Sequence, residues 1–198
     1  MPGAWSTLGG ILLVISLVID TSTNRTSAAL FQDNNLVYSG FHDGATAHAE
    51  ALPKLVKEAL LINNAVNEVV VGMGPGPFTG LRVGIVFAQT FAHARNIPWR
   101  GACSLDAMDI DSGSYIATSD ARRKEIYWAK YENSLRVDGP YVDSPASIAS
   151  RTEPKFGFGF TEPIYPSTAM LLARSHTAPV SEPMYLRRPD AVPTSERS

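Results

Sequence analysis

GMGPGPFTGLRVGIVFAQTFAHAR, Gly72–Arg95, is the stretch on which the reading of the fold turns. It opens as a loop carrying Gly72, Gly74, Gly76 and Gly80 with Pro75 and Pro77 among them. It then runs as an apolar helix that meets no turn residue before Asn96-Ile97-Pro98. Val69-Val70-Val71 comes directly before it and reads as a buried strand. Strand, glycine-rich loop and helix in that order suit binding of a ligand or partner at a helix N-terminus. The phosphate-binding versions of this arrangement fail on their residues. A P-loop needs lysine and a hydroxyl after its last glycine, and here Thr79-Gly80 is followed by Leu81-Arg82. A dinucleotide fingerprint begins at Gly74 and Gly76, but the next glycine, Gly80, comes one residue late. No serine stands in register for a nucleophile elbow. Pro75 and Pro77 also remove backbone donors from any anion nest. Thr79 reads as a helix N-cap, and the loop as structural rather than catalytic.

The helix has two distinct sides. Val83, Val86, Phe87 and Thr90 lie on one; Gly84, Ala88 and Ala92 recur every four residues on another, and Ile85 and Phe91 extend the apolar surface. Such a helix is covered on more than one face. A glycine in mid-helix costs about 1 kcal/mol against alanine, so Gly84 implies close packing. The small-residue row either packs inside its own domain or admits a partner helix.

Upstream, Ile11–Ile19 is an almost unbroken apolar run. It is too short to cross a bilayer as a helix, and no Lys or Arg precedes Arg25 to form a signal peptide's basic region. Its Ile, Val and Leu content predicts a buried central strand, with Met1–Gly10 a poorly ordered extension. Strands are expected at Ser27–Phe31 and Leu36–Ser39, joined by Asp33-Asn34-Asn35, with a loop at His42–Ala45. Thr46 would cap a helix reaching about Leu61, its inner face Leu52, Leu55, Val56 and Ala59, its first turns bent by Pro53.

Beyond a composition shift near Pro98–Ala102 the opening pattern recurs. Strands are expected at Tyr115–Thr118, Ile126–Tyr131 and Leu135–Val137, with a charged turn at Ser119–Lys124. Laid 100 positions apart, Asp120 falls on Asp20, Tyr131 on Phe31 and Val137 on Val37. Two related halves follow, residues 1–99 and 100–198, each led by a three-strand meander with an aspartate at the end of its first strand. Phe156–Phe160 is an aromatic–glycine turn region, Thr168–Ser175 a short helix and Ser181–Asp190 an extended tail ending in a frayed terminus.

Composition narrows the function. The chain is 44% hydrophobic with net charge −2, enough for a core and too balanced to grip nucleic acid unaided. Arg122, Arg123, Lys124, Arg187 and Arg188 read as solvated surface. The single cysteine, Cys103, fits a reducing cytoplasm and a core position.

Two halves facing one another resemble the actin-like (ASKHA, ribonuclease H-like) superfamily: an α/β fold of two lobes with mixed sheets and flanking helices. There the turns after the two first strands hold ATP phosphates, and a glycine in each lets the backbone approach. Asp20–Asn24 and Asp120–Lys124 contain none, so Asp20, Thr21, Ser22 and Asp120 are weak nucleotide candidates and no cofactor is expected.

LVIDTSTNRTSAAL (Leu17–Leu30), HAEALPKLV (His48–Val56), GMGPGPFTGLRVG (Gly72–Gly84), SLDA (Ser104–Ala107), DARRKEIYWAKY (Asp120–Tyr131) and PMYLRRPDA (Pro183–Ala191) together resemble the TsaB (YeaZ) family. These are partner subunits in bacterial tRNA threonylcarbamoyladenosine formation. The resemblance implies a non-catalytic subunit that docks and activates a TsaD-like catalytic subunit. A TsaE-like ATPase joins, tRNA is reached only indirectly, the chain pairs with itself when alone, and no membrane is involved. TsaD holds a metal with two histidines at i and i+4; His42, His48, His93 and His176 include no such pair, so no metal and no catalytic residue is expected. Docking on the two helices of the first half implies an interface at His48, Leu52, Leu55, Val56, Thr79, Arg82, Gly84, Ala88 and Ala92. The competing expectation is an ATP-dependent transferase or glycoprotease-type peptidase acting alone, with Asp20 and Asp120 its only testable residues.

Overall fold

The computed structural model describes residues 13–187. The expected extension Met1–Gly10, the start of the Ile11–Ile19 run, and the tail from Arg188 lie outside the described residues. Leu13 and Val14 of the run precede the strand and are exposed, whereas the rest forms β1, Ile15–Asp20, buried at every position. Side chains alternate across a strand, and both faces of β1 are covered. Leu17 and Ile19 join the core with Leu52, Val56, Ile85 and Ala88, whereas Val18 packs with Leu171 and Leu172. Burial on both faces is why the sequence shows an unbroken apolar run instead of an alternation.

Around β1 the first sheet has the order β3-β2-β1-β4-β5. β2 (Arg25–Gln32) and β3 (Asn35–Asp43) complete the meander; β4 (Glu68–Gly72) and β5 (Trp99–Ala102) run parallel to β1. The turn between β2 and β3 places Asp33 and Asn34 at φ 48° and 68°, the left-handed pair of a tight hairpin. β3 continues to Asp43, through what the sequence predicts as the start of a loop. α1, His48–Ile62, and α2, Phe78–Arg95, cover one face of the sheet. Asn96, left-handed at φ 51°, stops α2, its N–H reaching the carbonyls of Ala92 and His93.

The second sheet has the order β8-β7-β6-β9. β6 spans Ser114–Arg122, β7 Glu125–Glu132, β8 Leu135–Asp143 and β9 Lys155–Gly157. The duplication is closer in space than in sequence. β2 and β7 begin at 25 and 125 and end at 32 and 132; β3 and β8 end at Asp43 and Asp143. Asn133 and Ser134, both left-handed, repeat the hairpin turn of Asp33 and Asn34. β9 pairs with β6 in parallel, as β4 does with β1. Where the first half carries α1, the second carries only α3, Pro145–Ile148, capped by Ser144.

The expected boundary between residues 99 and 100 cuts through β5, which belongs to the first sheet. The second half also returns to the first: α4, Thr168–Thr177, lays Leu171 and Leu172 against Val18, Ala29 and Val70 on the face opposite α1 and α2. The chain continues from there back across both halves. Val180 N–H donates to Gly101 O at 3.0 Å, and Met184 N–H to Met73 O at 2.9 Å. Arg187 reaches the Ala121 carbonyl at 2.8 Å and pairs with Glu125.

Candidate functional site

Asp20 closes β1 and directs the turn that follows. Its Oδ1 accepts from the Ser22 N–H at 2.9 Å and the Ser22 hydroxyl at 2.7 Å; its Oδ2 accepts from the Ser104 hydroxyl at 2.8 Å. Burial raises its pKa, and the three donors oppose that shift. Asp120 builds the same turn in the second half, with Oδ1 accepting from the Arg122 N–H at 2.7 Å. The two aspartates are turn-formers in equivalent places, and Asp120 is also paired with Arg122.

The nucleotide candidates of the first half are sealed. Asp20, Thr21 and Ser22 are each at most 2% exposed. The glycine-rich stretch packs directly against this turn. A Cβ on Gly72 would lie 1.8 Å from Asp20 Oδ2, and one on Gly84 would lie 2.3 Å from Thr21 Oγ1. Gly76 and Gly80 press on the Ser22 and Thr21 carbonyls in the same way. Thr21 Oγ1 donates to Gly80 O at 2.8 Å, fixing helix to turn. Glycines at 72, 76, 80 and 84 therefore mark one backbone laid on another. That spacing was visible in the sequence, and it points to contact with the Asp20 turn.

The two sides of α2 are distributed oppositely to the docking expectation. Gly84, Ala88 and Ala92 face inward and are buried against the Asp20 turn and the sheet. Small residues are needed there because the helix backbone comes so close. His48, Leu52, Leu55 and Val56 are buried too. His48 Nδ1 lies 2.8 Å from Thr26 Oγ1, and burial, then the charge of Arg122, lowers its pKa. Thr79 and Arg82 are exposed. Thr79 does not cap: α2 starts one residue earlier, with Pro77 at the N-cap position. Thr46 does not cap either, since Ala47 precedes α1 and makes no side-chain cap.

The outward side of α2 is the large apolar one. Val83, Val86, Phe87, Thr90 and Phe91, with Phe78 at the helix start, face α1 residues Ala49, Leu52 and Pro53 across an open groove of about 760 Å³. Val86 is 50% exposed, and Leu61 near the end of α1 is 78% exposed. Tyr185 from the returning tail sets its ring 4.8 Å from that of Phe78, tilted by 48°. Of the expected interface residues, the groove unites Leu52, Thr79 and Arg82 and leaves Gly84, Ala88 and Ala92 beneath it. The Val83–Thr90 side was legible from helical spacing alone. Which side faced the sheet was not. Among the described residues no group of three or more His, Cys, Asp or Glu could hold a metal, and no helix is long and apolar enough to cross a membrane.

Comparison with known proteins agrees with this architecture. The family described as TsaD, tRNA N6-adenosine threonylcarbamoyltransferase, matches residues 42–158. An uncharacterised protein of Mycobacterium leprae is 40% identical over 208 residues, covering 90% of this chain and 56% of the relative. The tRNA threonylcarbamoyladenosine biosynthesis protein TsaB of Escherichia coli is 33% identical over 128 residues, covering 59% of this chain and 54% of the relative. The chain thus spans about half the length of these two relatives. The solved structure of YeaZ from Pseudomonas aeruginosa superposes with a TM-score of 0.69 at 25% identity, covering 83% of this chain and 92% of that one. With its two actin-like halves, its filled Asp20 turn and these matches, the chain belongs to the TsaB (YeaZ) family.

Proposed function

We propose that this chain is a non-catalytic subunit in tRNA N6-threonylcarbamoyladenosine formation. It docks a TsaD-type catalytic subunit on α1 and α2 and holds it in its active form. A TsaE-type ATPase completes the assembly, and tRNA is met through the complex. The observation that carries this reading is the open apolar groove between α1 and α2, beside a turn filled by the chain's own backbone. Exposed apolar surface of this extent is characteristic of an interaction site, and two helices per partner would bury it as a four-helix contact.

The test is reconstitution of the modification reaction with and without this chain, and with Val86→Asp. Val86 is half exposed and outside the inward face. The variant should melt within about 2 °C of the wild type, since an exposed substitution changes stability by only about 0.5 kcal/mol. It should lose association with the catalytic subunit in sedimentation and abolish modified tRNA. Undiminished association would refute the docking face, and full modification without the chain would refute the role.

A further inference from the structure

Among the described residues, three hairpins close on a pair of left-handed residues, and one pair is out of character. β2 and β3 turn on Asp33 and Asn34, β7 and β8 on Asn133 and Ser134. Asp and Asn tolerate that backbone, because a short polar side chain can bond locally. β6 and β7 turn on Arg123 and Lys124, at φ 53° and 64°, with Arg122 before them at 65°. Long cationic side chains gain nothing from a left-handed backbone, and a turn of this kind favours Asn-Gly. Strain of this sort collects where a function needs it. The matching turn of the first half was built otherwise. Thr21 and Ser22 are at most 2% exposed under the glycine-rich stretch, whereas Arg122, Arg123 and Lys124 are all exposed.

The carboxylates at the base of this hairpin are matched. Arg122 Nη1 lies 3.0 Å from Asp120 Oδ2, and Arg187 pairs with Glu125. No acidic residue stands between Asp120 and Glu125, so the tip itself is purely cationic. It also lies towards the first half: the charge of Arg122 reaches His48 and helps to lower its pKa. His48 opens α1 directly before Ala49, which lines the groove. The cationic turn therefore stands near one end of the proposed docking surface.

We propose that the β6–β7 turn is an RNA contact, in which Arg123 and Lys124 hold backbone phosphates of a tRNA bound to the docked catalytic subunit. This rests on the docking reading above and adds a direct contact between this chain and the substrate. Phosphate contacts fix the register and orientation of a nucleic acid without reading its sequence. With a net charge of −2, the chain orients an RNA that the complex holds and does not capture one alone. A hairpin tip suits phosphates better than an acidic protein. A stable protein interface buries about 800 Å² on each partner, whereas phosphates need only the charges.

The test uses this chain assembled with the TsaD-type subunit encoded in the same genome, and a tRNA transcript which that complex modifies. Arg123→Asn with Lys124→Gly installs the pair that the turn favours. Freed of strain, the variant chain should melt about 2–4 °C higher. Stripped of both cations, its complex should bind the transcript roughly tenfold more weakly at about 100 mM salt. The slope of log affinity against log salt should flatten by about 1.5 as two phosphate contacts are lost. Arg123→Lys with Lys124→Arg keeps both charges and should keep the wild-type slope. A variant complex that sediments normally and binds RNA with unchanged affinity and slope overturns the RNA contact and leaves the docking reading standing. So does a variant that keeps RNA but loses the TsaE-type ATPase, which would assign the tip to an acidic protein. A melting temperature that does not rise removes the strain argument, and an equal loss of affinity in the charge-keeping swap removes the charge argument. A wild-type chain that never assembles with the catalytic subunit overturns the docking reading and this contact together.

Discussion

Gly84 has no room for a side chain, because its Cβ would stand 2.3 Å from the hydroxyl that bonds Gly80 O. Gly84→Ala must push Thr21 off that bond or lift α2 from the turn. Overpacking of this kind costs about 1–3 kcal/mol, to be seen as a lower urea midpoint at unchanged slope. Gly84 thus probes the fold, and Val86 probes the docking surface. Asp20 allows a second prediction at this scale. Its folded pKa is raised above the ordinary 3.8 by burial. The folded state therefore binds more protons than the unfolded one over the window from 3.8 up to the raised value. This group's contribution is full below 3.8 and is lost as pH rises through that window. Asp20→Asn keeps an acceptor for the Ser22 donors and cannot ionise. Unfolding free energy measured against pH should show a shallower decline above pH 3.8 in the variant than in the wild type. An identical slope would show that Asp20 is not the group responsible.

Among the elements, α1 and α2 were legible from their helical spacing, β1 and β4 as short apolar runs buried at every position, and β2 from its apolar stretch before the Asp33-Asn34-Asn35 turn. β5 was not. Trp99-Arg100-Gly101-Ala102 is four residues with no alternation, and only its pairing with β4 makes it a strand. β6 and β8 outran their expected lengths for a related reason. Ser119–Arg122 and Asp138–Asp143 are polar or broken by Gly139-Pro140, yet the ladder with β7 carries them. α4 was visible as a short helix, but its destination was not. Its packing predicts that Leu172→Ala, emptying a site 4% exposed against Val18 and Val70, costs about 2–5 kcal/mol. Chemical denaturation would register it. A change below about 0.5 kcal/mol would mean that α4 does not cover the sheet.

For the whole molecule, the two halves are tied together at several places. α4 belongs to the second half in sequence and to the first in packing. The Val180–Arg187 segment bonds Gly101, Met73, Ala121 and Glu125 in turn, and Val180 packs against both cores. The halves should therefore unfold as one unit despite their duplicated plan. Calorimetry should give one transition with equal calorimetric and van't Hoff enthalpies; two resolved transitions would contradict it. By itself the sequence determined the buried first strand, the repeat at 100 residues, the strand–loop–helix unit and the apolarity of α2, because those signals are local or periodic. The tertiary structure decided which side of α2 faces the sheet, since a helix apolar nearly all round does not encode its own orientation. It also decided what the glycines approach and where α4 returns, because both depend on contacts between residues far apart in the chain.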